Sequence, residues 1–517
     1  MHPEIYLDFL FHYYPELDAS IVFNVEQIIE GTNWSNPQTA SDWNNSAVLD
    51  LIAIEYSVDI NNRQTLLEQA QTKLENGFAL DNNLFCCGHY ILLSILHGEY
   101  RTAINLVDRL SLDFAIGIIH QELEANKYLI YLPPTYGADH ILAEFFNSNK
   151  FDDQVRLFLS EVIRRSPMVF YNYSGTRLLD LSLQFSGQNF LSLLMLGINK
   201  IMSGMNEGIM WLKNALNMFP DESKLWQAVY LGYLTMGDTD RANFWLEQAK
   251  NQSMKLQQEW FWTNIDKPEF TYIPFEQNLI FTAEPSFRSI VTSVLLAQGD
   301  WFEREMEFWR ESIQPGMTVI DVGANAGVYT FSAAMQVGET GLVLAIEPFS
   351  KCVQYLQETC KLNQIDWVKV CAGAASDSIG SLKLSIHLYN EINEILSHDT
   401  KTDSSNYELV ECFTLDSLID IHQLKRVDFL KIDVEGHELQ VLKGSQKLLR
   451  DFRPIIIYEN IYENIAGSQG SNLPVAEYLQ QVGYKLFLYQ PFVKALVPVT
   501  INADFARSLN VIALPPD

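Results

Sequence analysis

The spacing of hydrophobic positions changes partway along the chain. Up to about residue 255, apolar residues recur every three or four positions, as in "SLLMLGINKIMSG" and "WQAVYLGYLTMG", which predicts helices. After Pro315-Gly316, short apolar runs rich in β-branched residues alternate with helical segments. This alternation predicts βαβ units and a parallel sheet. We therefore expect a multidomain protein with an all-α N-terminal region and an α/β C-terminal domain.

A weak repeat closes the helical region. Trp211-Leu212 recurs as Trp245-Leu246, 34 residues later, and Ala215 recurs as Ala249. The second copy resembles a tetratricopeptide repeat at the positions of its Trp, Tyr, turn glycine and small close-packing residues: Trp226, Tyr233, Gly237, Ala242 and Ala249. Repeats of this type stack helix pairs and bury faces that one pair cannot bury alone. An ordinary helical bundle with chance similarity is the alternative.

These patterns divide the chain into four parts. We expect a helical region with degenerate repeats over 1–180, tetratricopeptide-like repeats over 181–255, a linker and helical lead-in over 256–315, and the α/β domain over 316–517. The predicted strands are 319–322, 342–346, 368–372, 429–432 and 455–458. Alternating residues in "SLKLSIHLY" and "YELVECFTL" predict an inserted hairpin or sheet extension. "YKLFLY" and "LNVIALP" are expected to complete the sheet.

Composition excludes some classes of protein. The 517 residues include 64 acidic and 35 basic side chains, a net charge of −29 that disfavours binding to nucleic acid. No apolar stretch reaches the length of about 18 residues that a membrane span needs. The N-terminus carries Glu4 and Asp8 without a basic leading region, so we do not expect a signal peptide. The six cysteines lack metal-type spacing, which indicates reduced thiols and a cytoplasmic protein.

The loop after the first predicted strand of the α/β domain indicates the ligand. In "TVIDVGANAGVYT", a dinucleotide fingerprint G-x-G-x-x-G would need glycine where Asn325 and Val328 stand. The pattern is instead Asp321, Gly323, Asn325, Gly327. Glycine lets the backbone approach a bulky ligand, and a carboxylate suits an ammonium group but repels a pyrophosphate. S-adenosylmethionine has an ammonium group and no phosphate, so the loop favours it over NAD.

The next two strands end in further polar residues. Glu347 ends the second strand, where an acidic side chain would accept hydrogen bonds from both ribose hydroxyls. A plain surface carboxylate is the alternative. Ser376 and Asp377 follow the third strand in "CAGAASD", where the adenine ring would lie, although Asp377 could equally cap a turn.

Five motifs in order resemble the FkbM-type S-adenosylmethionine-dependent methyltransferases. They are "VIDVGANAGVYT", "IEPF", "AASDSIGSL", "TLDSL" and "VDFLKIDVEGHELQVLKGS", and the resemblance runs from about Phe281 to the C-terminus. It implies a class I (Rossmann-like) methyltransferase domain whose seven-stranded sheet has one antiparallel strand. It also implies O-methylation of a hydroxyl on a sugar, glycan or secondary metabolite, without fixing the acceptor. The helical region lies outside the resemblance.

Transfer of a methyl group to a hydroxyl needs alignment and a general base. The candidates are Asp433 and His437, which follow the fourth strand, and Glu459, which ends the fifth. Glu435 or Glu438 could instead cap or favour the N-terminus of the following helix, and His437 could be an exposed first-turn residue. Asp433, Glu435 and Glu459 could also supply oxygen ligands to Mg²⁺, but no spacing demands a metal, and we expect none.

The leading hypothesis is therefore an O-methyltransferase whose helical repeats recruit a protein partner or the carrier of the acceptor. One alternative is an inactive, methyltransferase-like scaffold. The nearly complete donor motif, with Gly323, Gly327 and Glu347, argues against it. A second alternative, an NAD-dependent enzyme, is disfavoured by Asn325.

Overall fold

The structure is a computed structural model that describes residues 3–15, 18–115, 127–133, 138–165, 173–187, 189–264, 267–386, 407–460, 473–499 and 509–516. The chain divides into two compact units. The first consists of Met1–Met236, Asp240–Trp245 and Gln490–Ala495, and the second of Gly237–Thr239, Leu246–Tyr489 and Leu496–Asp517.

The first unit is helical, as the spacing of apolar residues predicts. Its helices are α1 (Ile5–Tyr13), α2 (Ala19–Gly31), α3 (Ala40–Tyr56), α4 (Ile60–Asp81), α5 (Leu84–His97), α6 (Tyr100–Ala115), α7 (Ala138–Asn147), α8 (Phe151–Arg164), α9 (Tyr173–Phe185), α10 (Phe190–Met202), α11 (Gly208–Met218) and α12 (Ser223–Thr235). A further helix, α13 (Thr239–Leu256), is divided between the two units. Among the helices described, none is both long and apolar enough to cross a membrane.

The repeat region forms successive helices that pack closely. Gly208 on α11 lies so near the backbone of Gly197 on α10 that a Cβ at Gly208 would come 2.5 Å from the Gly197 carbonyl oxygen. Gly237 has φ +78 in the turn before α13, and Ala215 and Ala242 are fully buried. Small residues thus allow close approach here. The assignment to the tetratricopeptide type remains a prediction.

The second unit begins with the hairpin β1 (Thr271–Phe275) and β2 (Leu279–Ala283), followed by α14 (Ile290–Gln298) and α15 (Glu305–Ser312). The alternating part continues with β3 (Thr318–Val322), α16 (Val328–Val337), β4 (Leu342–Glu347), α17 (Ser350–Asn363), β5 (Val368–Ala372), β6 (Ala374–Ala375), β7 (Gly380–Ser385), β8 (Tyr407–Phe413), α18 (Leu415–Ile421), β9 (Phe429–Ile432), α19 (Glu438–Lys443), a π-helical turn (Leu448–Phe452), β10 (Ile455–Glu459), α20 (Leu473–Gln481), β11 (Lys485–Gln490), β12 (Ala495–Pro498) and β13 (Asn510–Leu514).

The main sheet has eight strands within the described ranges, in the order β12-β11-β13-β10-β9-β3-β4-β5. Strands β10, β9, β3, β4 and β5 are parallel to their neighbours in this series, whereas β13 is antiparallel to β10 and β11. The expectation of seven strands is therefore wrong by one. The additional strand, β12, is a four-residue edge strand that ends in proline, so it lacks the longer alternating pattern that identifies a strand.

The inserted residues form a separate three-stranded sheet instead of extending the main one. Its order is β6-β8-β7, with β7 and β8 antiparallel, as the alternating residues predict for a hairpin. Residues 387–389 of the predicted first strand lie outside the described residues. The short parallel pair between β6 and β8 fixes the start of this sheet directly after β5.

Candidate active site

The candidate site lies at one edge of the sheet, where the parallel strands end. Val322, the last residue of β3, is in register with Ile346 on β4 and with Ile432 on β9. Ile432 is in turn in register with Tyr458 on β10. The polar residues that end or follow these strands are therefore brought to a common edge, which is where open α/β sheets bind ligands.

The loop after β3 is packed against the turn after β9. Gly323, with φ +79, is so close to this turn that a Cβ would overlap the carbonyl oxygen of Asp433. Gly327, with φ +104, precedes α16, and a Cβ there would come 2.6 Å from both Phe331 and Leu356. Asn325 also has a positive φ of 49. Packing within the protein is thus one reason why both positions are glycine. The close approach of the backbone to a ligand, which we expect from the sequence, is a second reason.

Glu347 holds this loop in place from the end of β4. One carboxylate oxygen accepts the backbone N–H of Asn325 at 2.8 Å, and the other accepts that of Phe349 at 2.8 Å. Glu347 is buried, and burial raises the pKa of its carboxyl to about 7 against the lowering effect of these two hydrogen bonds. The charge of Asp321 raises this pKa further. Glu347 is therefore a buried strand-end carboxylate and not a surface one.

Asp321 lies on β3, next to Glu347 in this acidic region. Its Oδ2 accepts a hydrogen bond from the hydroxyl of Thr330 on α16 at 2.6 Å. Burial raises the pKa of Asp321 to about 6, while the Thr330 bond and the charge of Lys431 lower it. The structure thus provides Asp321 with a protein partner, and its role toward an ammonium group remains a prediction.

A buried lysine supports the turn after β9. The ammonium of Lys431 lies 2.8 Å from Asp433 Oδ2 and 2.9 Å from Asn510 Oδ1, and it is 4.9 Å from the centre of the Tyr329 ring. Only 1% of the Lys431 side chain is exposed. Sequence reasoning did not select Lys431 or Asn510. The signal was a lysine inside the apolar strand "FLKI", where a charged residue must find a partner.

Glu438 stabilises the same turn. It is fully buried, and its Oε1 accepts the backbone N–H groups of Gly436 at 3.0 Å and Val434 at 3.3 Å. Glu435 and Gly436 both have positive φ, 51 and 96. The contacts of Glu438 match the capping alternative, since they satisfy N–H groups just before α19.

Three carboxylates come together where β9 and β10 end. Oxygen atoms of Asp433, Glu435 and Glu459 lie within 4.8 Å of one another, a spacing that could hold a metal ion. Burial, followed by the charges of Asp433, Glu435 and Glu438, raises the pKa of Glu459 strongly, and Lys431 opposes this effect. The structure therefore assembles Asp433 and Glu459 into one acidic cluster at the end of the sheet.

His437 meets the residues that follow β5. Its Nε2 lies 2.9 Å from the hydroxyl oxygen of Ser376, which is buried. His437 precedes α19 without making a side-chain cap, and burial lowers the pKa of its ring while the charge of Asp377 raises it. Asp377 itself is exposed and accepts a hydrogen bond from the hydroxyl of Ser378 at 3.1 Å. From the sequence we expect Ser376 near the adenine ring and His437 as a candidate general base, and the structure places these two side chains in contact.

The described residues fit S-adenosylmethionine. A buried carboxylate ends β4 and another lies one residue before the end of β3, and the loop 323–327, with positive φ at three of its residues, connects β3 to α16. Such a set suits a ligand with an ammonium group and ribose hydroxyls and would repel a pyrophosphate. The fold and site thus define an S-adenosylmethionine-dependent methyltransferase, with S-adenosylmethionine as its cofactor.

Comparison with known families agrees. Residues 321–486 match the methyltransferase FkbM domain, so the C-terminal part of the chain contains an FkbM methyltransferase domain. Residues 246–378 also match the protein-L-isoaspartate(D-aspartate) O-methyltransferase family. "Methyltransferase 1" of Beauveria bassiana (strain ARSEF 2860) is 23% identical over 190 residues, which cover 34% of this chain and 74% of that protein.

Two solved structures are also similar to part of the chain. Methyltransferase FkbM from Methylobacillus flagellatus KT is 15% identical with a TM-score of 0.26, over 44% of this chain and 53% of the other. A SAM-dependent methyltransferase from Aquifex aeolicus is 20% identical with a TM-score of 0.23, over 41% of this chain and 89% of the other. The chain thus spans about half of the Methylobacillus protein. Scores at this level do not establish a common fold, and the family match rests on the sequence.

Proposed function

We propose that the protein is an O-methyltransferase that acts on a hydroxyl of a sugar, a glycan or a secondary metabolite. The observation that carries this proposal is the acidic cluster of Asp433, Glu435 and Glu459, because a neutral hydroxyl must lose a proton during transfer. The similarity to a family of O-methyltransferases over residues 246–378 supports the same class of reaction.

The donor is proposed to bind to residues at the ends of β3, β4 and β5: Asp321, Gly323, Asn325, Gly327, Glu347, Ser376 and Asp377. When bound, S-adenosylmethionine supplies the methyl group, whose carbon–sulfur bond breaks with the electron pair left on sulfur as the acceptor oxygen bonds to the carbon. The protein orients the acceptor and receives the hydroxyl proton.

Glu459 and Asp433 are the proposed proton-accepting groups. Burial and neighbouring charge raise the pKa of Glu459, so this carboxyl must itself lose its proton before it can act as a base, and once ionised it is a stronger base than an ordinary carboxylate. Asp433 is paired with Lys431, whose ammonium lies 2.8 Å from its Oδ2. His437 is the third candidate from the sequence, but its Nε2 would have to release Ser376 before accepting a proton.

No metal is proposed at the acidic cluster. Lys431 lies 2.8 Å from Asp433 and already supplies a positive charge there. Turnover should therefore persist in the presence of a chelator.

The helical unit is proposed to recruit a protein partner or the carrier of the acceptor. Large apolar side chains are exposed on its surface, among them Met210 at 70% and Phe244 at 56%. Large apolar side chains that remain exposed are candidates for an interaction surface. Serine substitutions at these two positions should raise the KM for a carrier-bound acceptor while leaving that for the free acceptor unchanged.

The experiment begins with transfer from methyl-labelled donor into fractionated cell extract, followed by identification of the labelled atom. Label on nitrogen or carbon, with none on oxygen, would refute O-methylation. With the acceptor known, Glu459→Gln and Asp433→Asn should each lower turnover by about 10²–10⁴ while donor affinity stays within a few-fold. Glu411→Gln, an exposed carboxylate on β8, is the matched control and should keep full turnover.

A further inference from the structure

The turn between β9 and α19 is attached at its start to the first donor loop. The backbone N–H of Asp433 donates to the carbonyl of Val322 at 2.9 Å, and the Asp433 carbonyl is packed on Gly323. A movement of this turn would therefore also move the loop after β3.

The other end of the turn is attached to the segment after β5. Ser376 donates its backbone N–H to the carbonyl of Phe413 at 2.9 Å, so its main chain is held by β8. At Gly444, just after α19, a Cβ would overlap the carbonyl oxygen of Ser376. Before α19, His437 contacts the Ser376 hydroxyl at 2.9 Å. The six-residue helix α19 thus meets Ser376 at both of its ends.

These contacts give His437 a structural task on the donor side. The main chain of Ser376 is fixed by Phe413 and Gly444, whereas the contact that the structure shows for its hydroxyl, among the described residues, is with His437. Nε2 of a neutral imidazole can accept the hydrogen bond of the hydroxyl, and burial favours this neutral form by lowering the pKa of His437 against the opposing charge of Asp377.

We propose that His437 is a positioning residue for the methyl donor. Through its hydrogen bond to Ser376, it holds the segment Ala374–Asp377 against the adenine of S-adenosylmethionine and links this segment to the loop at Gly323. The proposal rests on the proposed function, because it assumes that the donor lies over the ends of β3, β4 and β5. In this role His437 acts on the methyl donor through Ser376, whereas a proton acceptor would act on the hydroxyl of the methyl acceptor.

The test is a double-mutant cycle of donor binding, measured by calorimetry on the full-length protein with S-adenosylhomocysteine. His437→Ala and Ser376→Ala should each weaken binding roughly threefold to tenfold, the loss of one hydrogen bond. The double variant should be no weaker than either single variant, since both remove the same contact. 5′-Methylthioadenosine, which has the adenosine but no amino acid, should lose affinity by the same factor if the contact acts at the adenine.

His437→Gln provides the decisive variant. Its amide group can reach the position of Nε2 and keep the bond to Ser376, but it cannot accept a proton. Donor affinity should therefore recover toward the unsubstituted value, and the pH profile of turnover should be unaltered. His422→Gln, a histidine that contacts Cys371 and is not among the proposed donor-binding residues, is the matched control.

Three outcomes would overturn the proposal: unchanged donor affinity in both alanine variants, additive losses in the double variant, or a glutamine variant as inactive as the alanine variant with normal donor binding. The last would identify His437 as the base. Failure of the proposed donor site is distinguishable, since the unsubstituted protein would then bind no donor, whereas label on nitrogen or carbon would refute O-methylation and leave donor binding intact. Melting temperatures measured without donor separate general unfolding from a local effect.

Discussion

Asp321 and Glu347 show at the scale of single residues how burial changes a carboxylate. Both end or nearly end a strand, and both have a raised pKa, about 6 for Asp321 and about 7 for Glu347, because burial disfavours the charge. Each is also bonded to its own protein, to Thr330 and to the loop at Asn325. The two residues therefore shape the donor site as well as offering it polar atoms.

Asp321 should make the donor-free protein less stable as pH rises from about 4 to about 6. In this window the unfolded chain releases the proton while the folded protein retains it, so the free energy of unfolding falls by up to about 3 kcal/mol. Asp321→Asn should lack this slope, so the difference in free energy of unfolding between the variant and the unsubstituted protein should change across this pH window. Denaturant unfolding at several pH values measures it; parallel curves for the two proteins would contradict the raised pKa.

Glu347→Ala should weaken binding of S-adenosylmethionine by about 1–3 kcal/mol, since a charged acceptor for ribose hydroxyls is lost. The substitution also leaves the N–H groups of Asn325 and Phe349 without their carboxylate. Calorimetry with the donor and with NAD measures the effect. Glu339→Ala, at an exposed position before β4, is the control and should bind normally. Tight NAD binding without a signal from the methyl donor would contradict the assignment of the cofactor.

At the scale of elements, the site depends on how the loop after β3 and the turn after β9 meet. Parallel pairing of β3 and β9 brings Gly323 onto the carbonyl of Asp433. A similar contact occurs between Gly444 and Ser376. The sequence alone does not tell why each of these positions is glycine. In the structure, a Cβ at Gly323 or Gly444 would clash with backbone, whereas Gly436 has open space around it and a positive φ.

Gly323→Ala should abolish donor binding and destabilise the protein, because the added Cβ would overlap the backbone of Asp433 at a φ of +79. Gly436→Ala is the matched control. Gly436 has a φ of +96 but nothing within 4 Å of the added atom, so this change should cost only about 1–2 kcal/mol of strain. Thermal unfolding and donor calorimetry compare the two. Equal losses would show that strain, and not the contact with Asp433, governs Gly323.

At the scale of the whole molecule, the units are not contiguous in sequence. Gln490–Ala495, from the C-terminal half, belongs to the first unit, and Val493 is fully buried in the core of that unit. Arg63 donates a hydrogen bond to the carbonyl of Val493 at 3.3 Å. A domain boundary near residue 255, as the sequence pattern suggests, therefore separates Val493 from the helical core in which it is buried.

We expect residues 260–517, expressed alone, to bind the donor within a few-fold of the full chain, because the described candidate donor residues all lie between Asp321 and Asp377 in the second unit. Without the helices, Val493 would be exposed, so Val493→Ser should improve the solubility of this fragment. Calorimetry and light scattering measure the two effects. A folded fragment without donor affinity would show that the helical unit contributes to the donor site.

The sequence by itself determined the order of helices and strands, because their periods of about 3.6 and 2 are local properties. It also placed Glu347, Asp433 and Glu459 at strand ends and identified the family through ordered motifs. Tertiary structure decided what no local pattern contains: the pairing of Lys431 with Asp433 and Asn510, the contact between Ser376 and His437, and the burial that raises or lowers each pKa. These features join residues up to 79 positions apart, and they depend on strand order and register, which arise only when the sheet assembles.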